Sequence, residues 1–148
     1  MKILAALLLV CGNVFASDGL TLEMSRKVAE RALQYGAKKS WKLSVAVVNA
    51  EGNLVYFARE DGAYTGSIDA APDKAKSSNA FQRPTRAFAE AVQTGRNGLL
   101  SVRGVVAIEG GVPILVKGKH LGAIGVSGAK STEDEEAALD GLKALEGK

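Results

Sequence analysis

Cysteine is almost absent from this chain: the one copy, Cys11, falls in the first apolar stretch. Beyond it there is no thiol to act as a nucleophile, hold a metal or close a disulfide. Histidine is as scarce. With His120 alone, no multi-histidine zinc site and no H-x-x-x-H pair can form. After residue 16 no apolar run reaches the length of a membrane-spanning helix. Charge of one sign is also missing. The 19 Lys and Arg against 16 Asp and Glu are interleaved, so a basic sequence pI brings no nucleic-acid stripe. There is no internal repeat, low-complexity tract or interdomain linker, which leaves one domain with a core of its own.

What is present begins with a leader. Lys2 supplies a positive n-region, 3–10 form an apolar h-region, and Val14-Phe15-Ala16 places small or apolar residues before Ser17. This pattern predicts a signal peptide over 1–16 and an exported domain over 17–148, in the periplasm or outside the cell. Val10 is bulkier than the residue usually found before an acylated lipoprotein cysteine, so Cys11 reads as part of the leader. Cleavage would remove Lys2 and the only cysteine, leaving a domain that packing alone must stabilise.

Periodicity then gives the order α-ββ-αα-βββ-α. Thr21 is placed to cap a helix to about Lys39, with Leu22, Val28, Ala29, Ala32, Leu33 and Gly36 on one face. The apolar run 43–48, a turn at 49–53 and the return 54–59 predict an antiparallel hairpin. A second helix runs to about Phe81. Pro72 predicts either a start near itself or a distorted turn over 68–71. Thr85 is expected to cap a short helix to about Gln93, before an irregular stretch over 94–104. Strands are expected at 105–109, 112–117 and 121–127, and Thr132 with Glu135 has capping-box spacing for a last helix. The fold class expected is α/β (α+β): a single five-stranded, mostly antiparallel sheet with helices on its faces.

Chemistry concentrates around the second half. Ser127 lies in G-V-S-G, which misses the G-x-S-x-G nucleophile elbow, and its nearest base, His120, is six residues upstream. The small residues after it instead leave backbone amides at a helix start, where an anion can be held. Glu133, Asp134, Glu135 and Glu136 are clustered like a metal site, but in a first helical turn they compensate the dipole. Asp69 and Lys74 fit either a solvated face or the edges of a pocket. Arg59 closes a strand before a sharp turn. His120 is expected at an exposed hairpin turn, where it could ligate a metal or haem iron only in a site open on one side.

Several segments, taken in order, resemble a known family. They are Leu43-Ser44-Val45-Ala46-Val47-Val48-Asn49 with Glu51-Gly52-Asn53-Leu54-Val55, then Arg59-Glu60-Asp61-Gly62-Ala63. After these come 67–75 with Phe81 and Pro84-Thr85, then Gly110-Gly111-Val112-Pro113-Ile114. The run Gly122-Ala123-Ile124-Gly125-Val126-Ser127-Gly128, with Asp134-Glu135 following, completes the match. Together they resemble the HbpS/GlcG-like family, described as haem-binding or haem-degrading, whose module also ends PduO-type proteins. Where the family reads K-A-x-T-A, this chain has Lys74-Ala75-Lys76-Ser77-Ser78. The resemblance implies a profilin-like layered fold, homo-oligomers of two or more copies, and binding of haem or another small anionic ligand. The candidate ligand-binding residues in this chain are Arg59, Asp69, Lys74, Thr85, Gly110, Gly111, Ser127 and Gly128. Lys74, Arg59 or Arg83 would pair with propionates. Two other functions fit the same residues: an interaction protein whose assembly is its role, and an enzyme on a small oxo- or hydroxy-acid or on haem.

Overall fold

A computed structural model describes residues 19–146, so the leader, with Cys11, lies outside the described residues. Helix α1 (Leu22–Lys38) starts where expected, Thr21 Oγ1 accepting the Met24 N–H at 3.1 Å. Its buried face is Ser25, Val28, Ala29, Ala32 and Gly36; Leu22, expected there, is 61% exposed. Strands β1 (Ser44–Asn49) and β2 (Leu54–Arg59) form the expected hairpin. Helix α2 (Ser67–Phe81) runs unbroken through Pro72, which matches neither expectation for that proline. The hydrogen bond Pro72 cannot donate belongs to the carbonyl of Ile68, a residue on the partly exposed first turn. Helix α3 (Arg86–Gln93) and a short 3-10 turn (Asn97–Ser101) follow. Strands β3 (Gly111–Val116) and β4 (Lys119–Ser127) then lead to α4 (Ser131–Leu142).

The described residues form one mixed α/β domain whose four strands, all antiparallel, lie in the order β2-β1-β4-β3. The fifth strand expected over 105–109 does not form. The segment lies between Gly104 (φ 86°) and Gly110 (φ 120°), and the Val106 N–H donates to Ser77 Oγ on α2 instead of to a neighbouring strand. The last helix is capped two residues earlier than Thr132 predicts: Glu133 Oε2 accepts the Lys130 N–H at 3.0 Å. At the β3–β4 turn, Lys117 (φ 50°) and Gly118 (φ 77°) both adopt the left-handed conformation of a two-residue hairpin loop.

The sheet is covered on both faces, which explains why β1 is apolar at successive positions. On one side Val45, Val47, Ile114, Ile124 and Val126 meet α1 and α4 through Val28, Ala32, Ala137 and Ala138. Each of the larger side chains contributes about 1.5–3 kcal/mol by leaving water. On the other side α2 lies almost backbone-to-backbone on the sheet, with Ala46, Val48, Ala71, Ala75 and Ala123 buried between and the half-buried Phe57 packed against them. Glycine makes this possible. A Cβ on Gly125 would strike the Ala71 carbonyl and come within 2.5 Å of Ala75 N; one on Gly111 would strike the Lys74 carbonyl.

Candidate functional site

The close approach of α2 carries Lys74 into the protein at the end of the sheet where β4 finishes. Its ammonium, 3% exposed as a residue, donates to the Val126 carbonyl at 2.9 Å and to Asp134 Oδ2 at 2.8 Å. Asp134, in the first turn of α4, also accepts the Ala129 N–H through Oδ1 at 2.9 Å. Burial pushes its carboxyl above the ordinary value, against the opposing pull of Lys74. Gly110 stands beside this pair; a Cβ there would lie 2.9 Å from Lys74 Nζ. Thr85 is fully buried, and its N–H donates to the Gly111 carbonyl while its Oγ1 accepts the Gly111 N–H. Thr85 thus pins the start of α3 to β3 rather than capping the helix with its side chain.

Four of the residues expected to bind ligand, Lys74, Thr85, Gly110 and Gly111, therefore form one cluster. Arg86 adds a second ion pair to it, with the buried Glu135. Burial raises the Glu135 carboxyl despite Arg86, whereas a hydrogen bond from Ser131 holds Glu109 below its usual range. The four-acid run at the start of α4 is thus divided: Glu133 caps, Asp134 and Glu135 pair with cations, and Glu136 is exposed.

Ser127 lies next to this cluster on β4, its Oγ 3.0 Å from the Tyr64 hydroxyl. Across the β1–β4 register it pairs with Ser44, whose Oγ meets Ser67 Oγ at 2.8 Å. Arg59 donates to the Ala63 carbonyl, and Asp69 is exposed on the first turn of α2. Gly128 allows β4 to leave the sheet against Lys42 and Leu43, where a Cβ would lie 2.8 Å from Leu43 Cα.

His120 belongs to the opposite end. It is the second residue of β4, not part of the turn, and it is half-buried. Val126 lies six steps further along the strand, roughly 20 Å at the usual rise. Its Nε2 is enclosed and has no hydrogen-bond partner. His120 is among the residues, 19–20, 49–51 and 119–121, that bound a cleft of about 430 Å³. Among the described residues no group of three or more His, Cys, Asp or Glu converges as a metal site, and no helix is long and apolar enough to cross a membrane.

Sequence reasoning missed Asp134 as the partner of Lys74. The signal was present: Asp134, Ala137, Ala138 and Gly141 follow the i, i+3, i+4, i+7 spacing of one helical face, and all four are buried. Tyr64 and Arg86 carried no comparable signal.

Comparison with known proteins extends this picture over nearly the whole domain. Escherichia coli K12 protein GlcG is 29% identical over 108 residues, covering 73% of this chain and 81% of GlcG. Streptomyces reticuli HbpS, solved as a double mutant, superposes with a TM-score of 0.79 at 32% identity, covering 97% of this chain and 99% of its own. The PduOC:Heme complex shares the fold, with a TM-score of 0.78 at 23% identity over 86% of this chain and 96% of its own. The family described as "Haem degrading protein HbpS-like" matches residues 20–143, which takes in every described strand, α1 to α4 and the cluster around Lys74. On that match the chain belongs to the HbpS-like family.

Proposed function

We propose that this chain is an exported protein that binds haem or a related tetrapyrrole and works as a homo-oligomer. The family match over residues 20–143 carries the haem reading, and PduOC in complex with heme shows that the fold can hold such a ligand. Export rests on the leader pattern of residues 1–16. Binding is favoured over acyl-transfer chemistry by the placing of the side chains: the Ser127 hydroxyl is shared with Tyr64, while His120, the one histidine, sits at the far end of β4. A propionate seeking Lys74 would have to displace Asp134, so exposed cations such as Arg59 and Arg83 suit that role better.

A second reading, assembly as the function itself, is favoured by one observation. Leu100, Val102 and Ile108, on the segment between α3 and β3, are 62%, 44% and 46% exposed. Three exposed apolar side chains on one connecting segment would suit an interface if they form a continuous patch. The test of both readings is a haem titration of the purified chain followed by absorbance, with its size read by light scattering. A saturable Soret shift at one haem per subunit or per dimer is expected. A stable oligomer with no saturable shift would refute haem binding and leave assembly.

A further inference from the structure

We infer that the outer edge of β2 is where a second copy of this chain pairs, joining the two four-stranded sheets into one. The inference rests on the homo-oligomer reading and names its interface. Among the described residues the sheet ends in β2 on one side and β3 on the other, and the two edges are finished differently. On β3 the Val126 N–H donates to the Gly110 carbonyl. By antiparallel alternation Val112 and Ile114 also face β4, while Gly111 and Pro113 face outward. Both backbone groups of Gly111 are taken by Thr85, and Pro113 has no N–H to offer. That edge is blunted against another strand.

The regular part of β2 carries no such device. The Glu60 N–H donates to the Leu43 carbonyl, so Ala58 and Tyr56 likewise face β1, and Phe57 and Arg59 turn their N–H and C=O groups outward. Tyr56-Phe57-Ala58-Arg59 contains no proline, glycine or lysine. A bulge disturbs the β1–β2 register beyond Tyr56, which confines pairing to this stretch. An antiparallel partner must set outward residues against outward residues. With Ala58 on a two-fold axis, Phe57 of each copy lies opposite Arg59 of the other, and the two exchange backbone hydrogen bonds. The exposed Arg59 guanidinium, held by one nitrogen on the Ala63 carbonyl, then has the half-buried Phe57 ring of the other copy in reach, a cation–π pair made twice. At the axis, where the strands come closest, only the small side chain of Ala58 has to be accommodated. Because one edge of each chain is open and the other blunted, the pairing closes as a dimer and does not propagate into a fibre.

The test uses the lack of any cysteine beyond Cys11. In a Cys11→Ser background, Ala58→Cys would face its own copy across the axis with Cα atoms about 4.5 Å apart, inside the reach of a disulfide. Mild oxidation should turn it into a covalent dimer. Thr132→Cys, at an exposed position of α4, reports chance collision and should stay largely unlinked. Arg59→Pro copies the device of β3. It removes one outward N–H per copy, so the dimer should weaken by about tenfold or more. Light scattering over a dilution series reads this, with melting curves to check folding. In the unmodified chain the amides of Phe57 and Arg59 should exchange slowly at high protein concentration and fast on dilution, a readout that needs no variant. A monomer at every concentration would overturn the homo-oligomer reading and this inference with it. If the chain assembles, but Ala58→Cys links no faster than Thr132→Cys and the two amides exchange fast throughout, the homo-oligomer reading stands and the β2 edge is overturned.

Discussion

Replacing Lys74 with methionine keeps most of the side-chain volume but removes the charge and the hydrogen bond to the Val126 carbonyl. In the native protein that charge faces Asp134 at 2.8 Å, with the lysine 3% and the aspartate 1% exposed. The variant would keep the Ala129 N–H on Asp134 Oδ1 but leave Oδ2 without its cation. Removing one partner of a buried pair costs about 3–5 kcal/mol, because the other charge stays desolvated. For a domain of this size each kcal/mol moves the melting point by about 2–4 °C, so Lys74→Met should melt roughly 6–20 °C lower. Burial already holds the Asp134 carboxyl above its ordinary value, and losing Lys74 raises it further. A carboxyl raised in the folded state loses stability as pH climbs from its unfolded value through its folded one. The deficit should therefore be large at neutral pH and shrink on acidification, as Asp134 takes up a proton. The double variant Lys74→Met, Asp134→Leu should be more stable than the single variant, since apolar replacement of a buried pair is often tolerated, but less stable than wild type, because the Val126 carbonyl and the Ala129 N–H lose their partners. Guanidinium denaturation of all three proteins at two pH values is the assay. A single-variant loss under about 1 kcal/mol, or one unchanged by pH, would refute the reasoning.

Gly125→Val should cost at least about 1–3 kcal/mol, the usual penalty for overpacking, because its Cβ would meet the Ala71 carbonyl and Ala75 N on α2. Denaturant midpoints check this, and a variant as stable as wild type would mean that α2 can lift off the sheet at little cost. Arg86→Ala should lose about 1–2 kcal/mol near neutral pH by leaving Glu135 buried without its cation, a figure reduced because the arginine side chain is 49% exposed. Glu135 is also raised by burial, so this loss should fade as pH drops toward the ordinary carboxylate range. Equal losses at about pH 5 and pH 8 would remove the role assigned to Glu135.

The strands bounded by turns were legible in the sequence because two local signals agreed there. Val45-Ala46-Val47-Val48 is β-branched and apolar, and 49–53 carries the turn residues, so the β1–β2 hairpin falls where expected. Val105 to Ile108 has the same local character, yet it forms no strand. The partner that decides the matter, Ser77 on α2, is far away in sequence. Pro72 misled in the opposite direction, since one missing hydrogen bond did not outweigh the packing of the rest of α2. At the candidate site, the gathering of Lys74, Thr85, Gly110 and Gly111 could be anticipated only from family resemblance. Their mutual fit depends on how near one helix lies to two strands, a distance no local pattern encodes. The basic run Lys117-Gly118-Lys119-His120 points to a turn that takes in His120, whereas backbone conformation confines the turn to Lys117 and Gly118.

The seating of α2 on glycine has a consequence in time as well as in space. With almost no side-chain layer between them, helix and strand cannot slide past one another by rotamer changes, so their amides can open only when the two separate. Residues 93–104, which are almost wholly exposed, have no such restraint. The domain should therefore keep two clocks under hydrogen exchange: α2 and β4 with the slowness of global unfolding, and the α3–β3 connection with that of local opening.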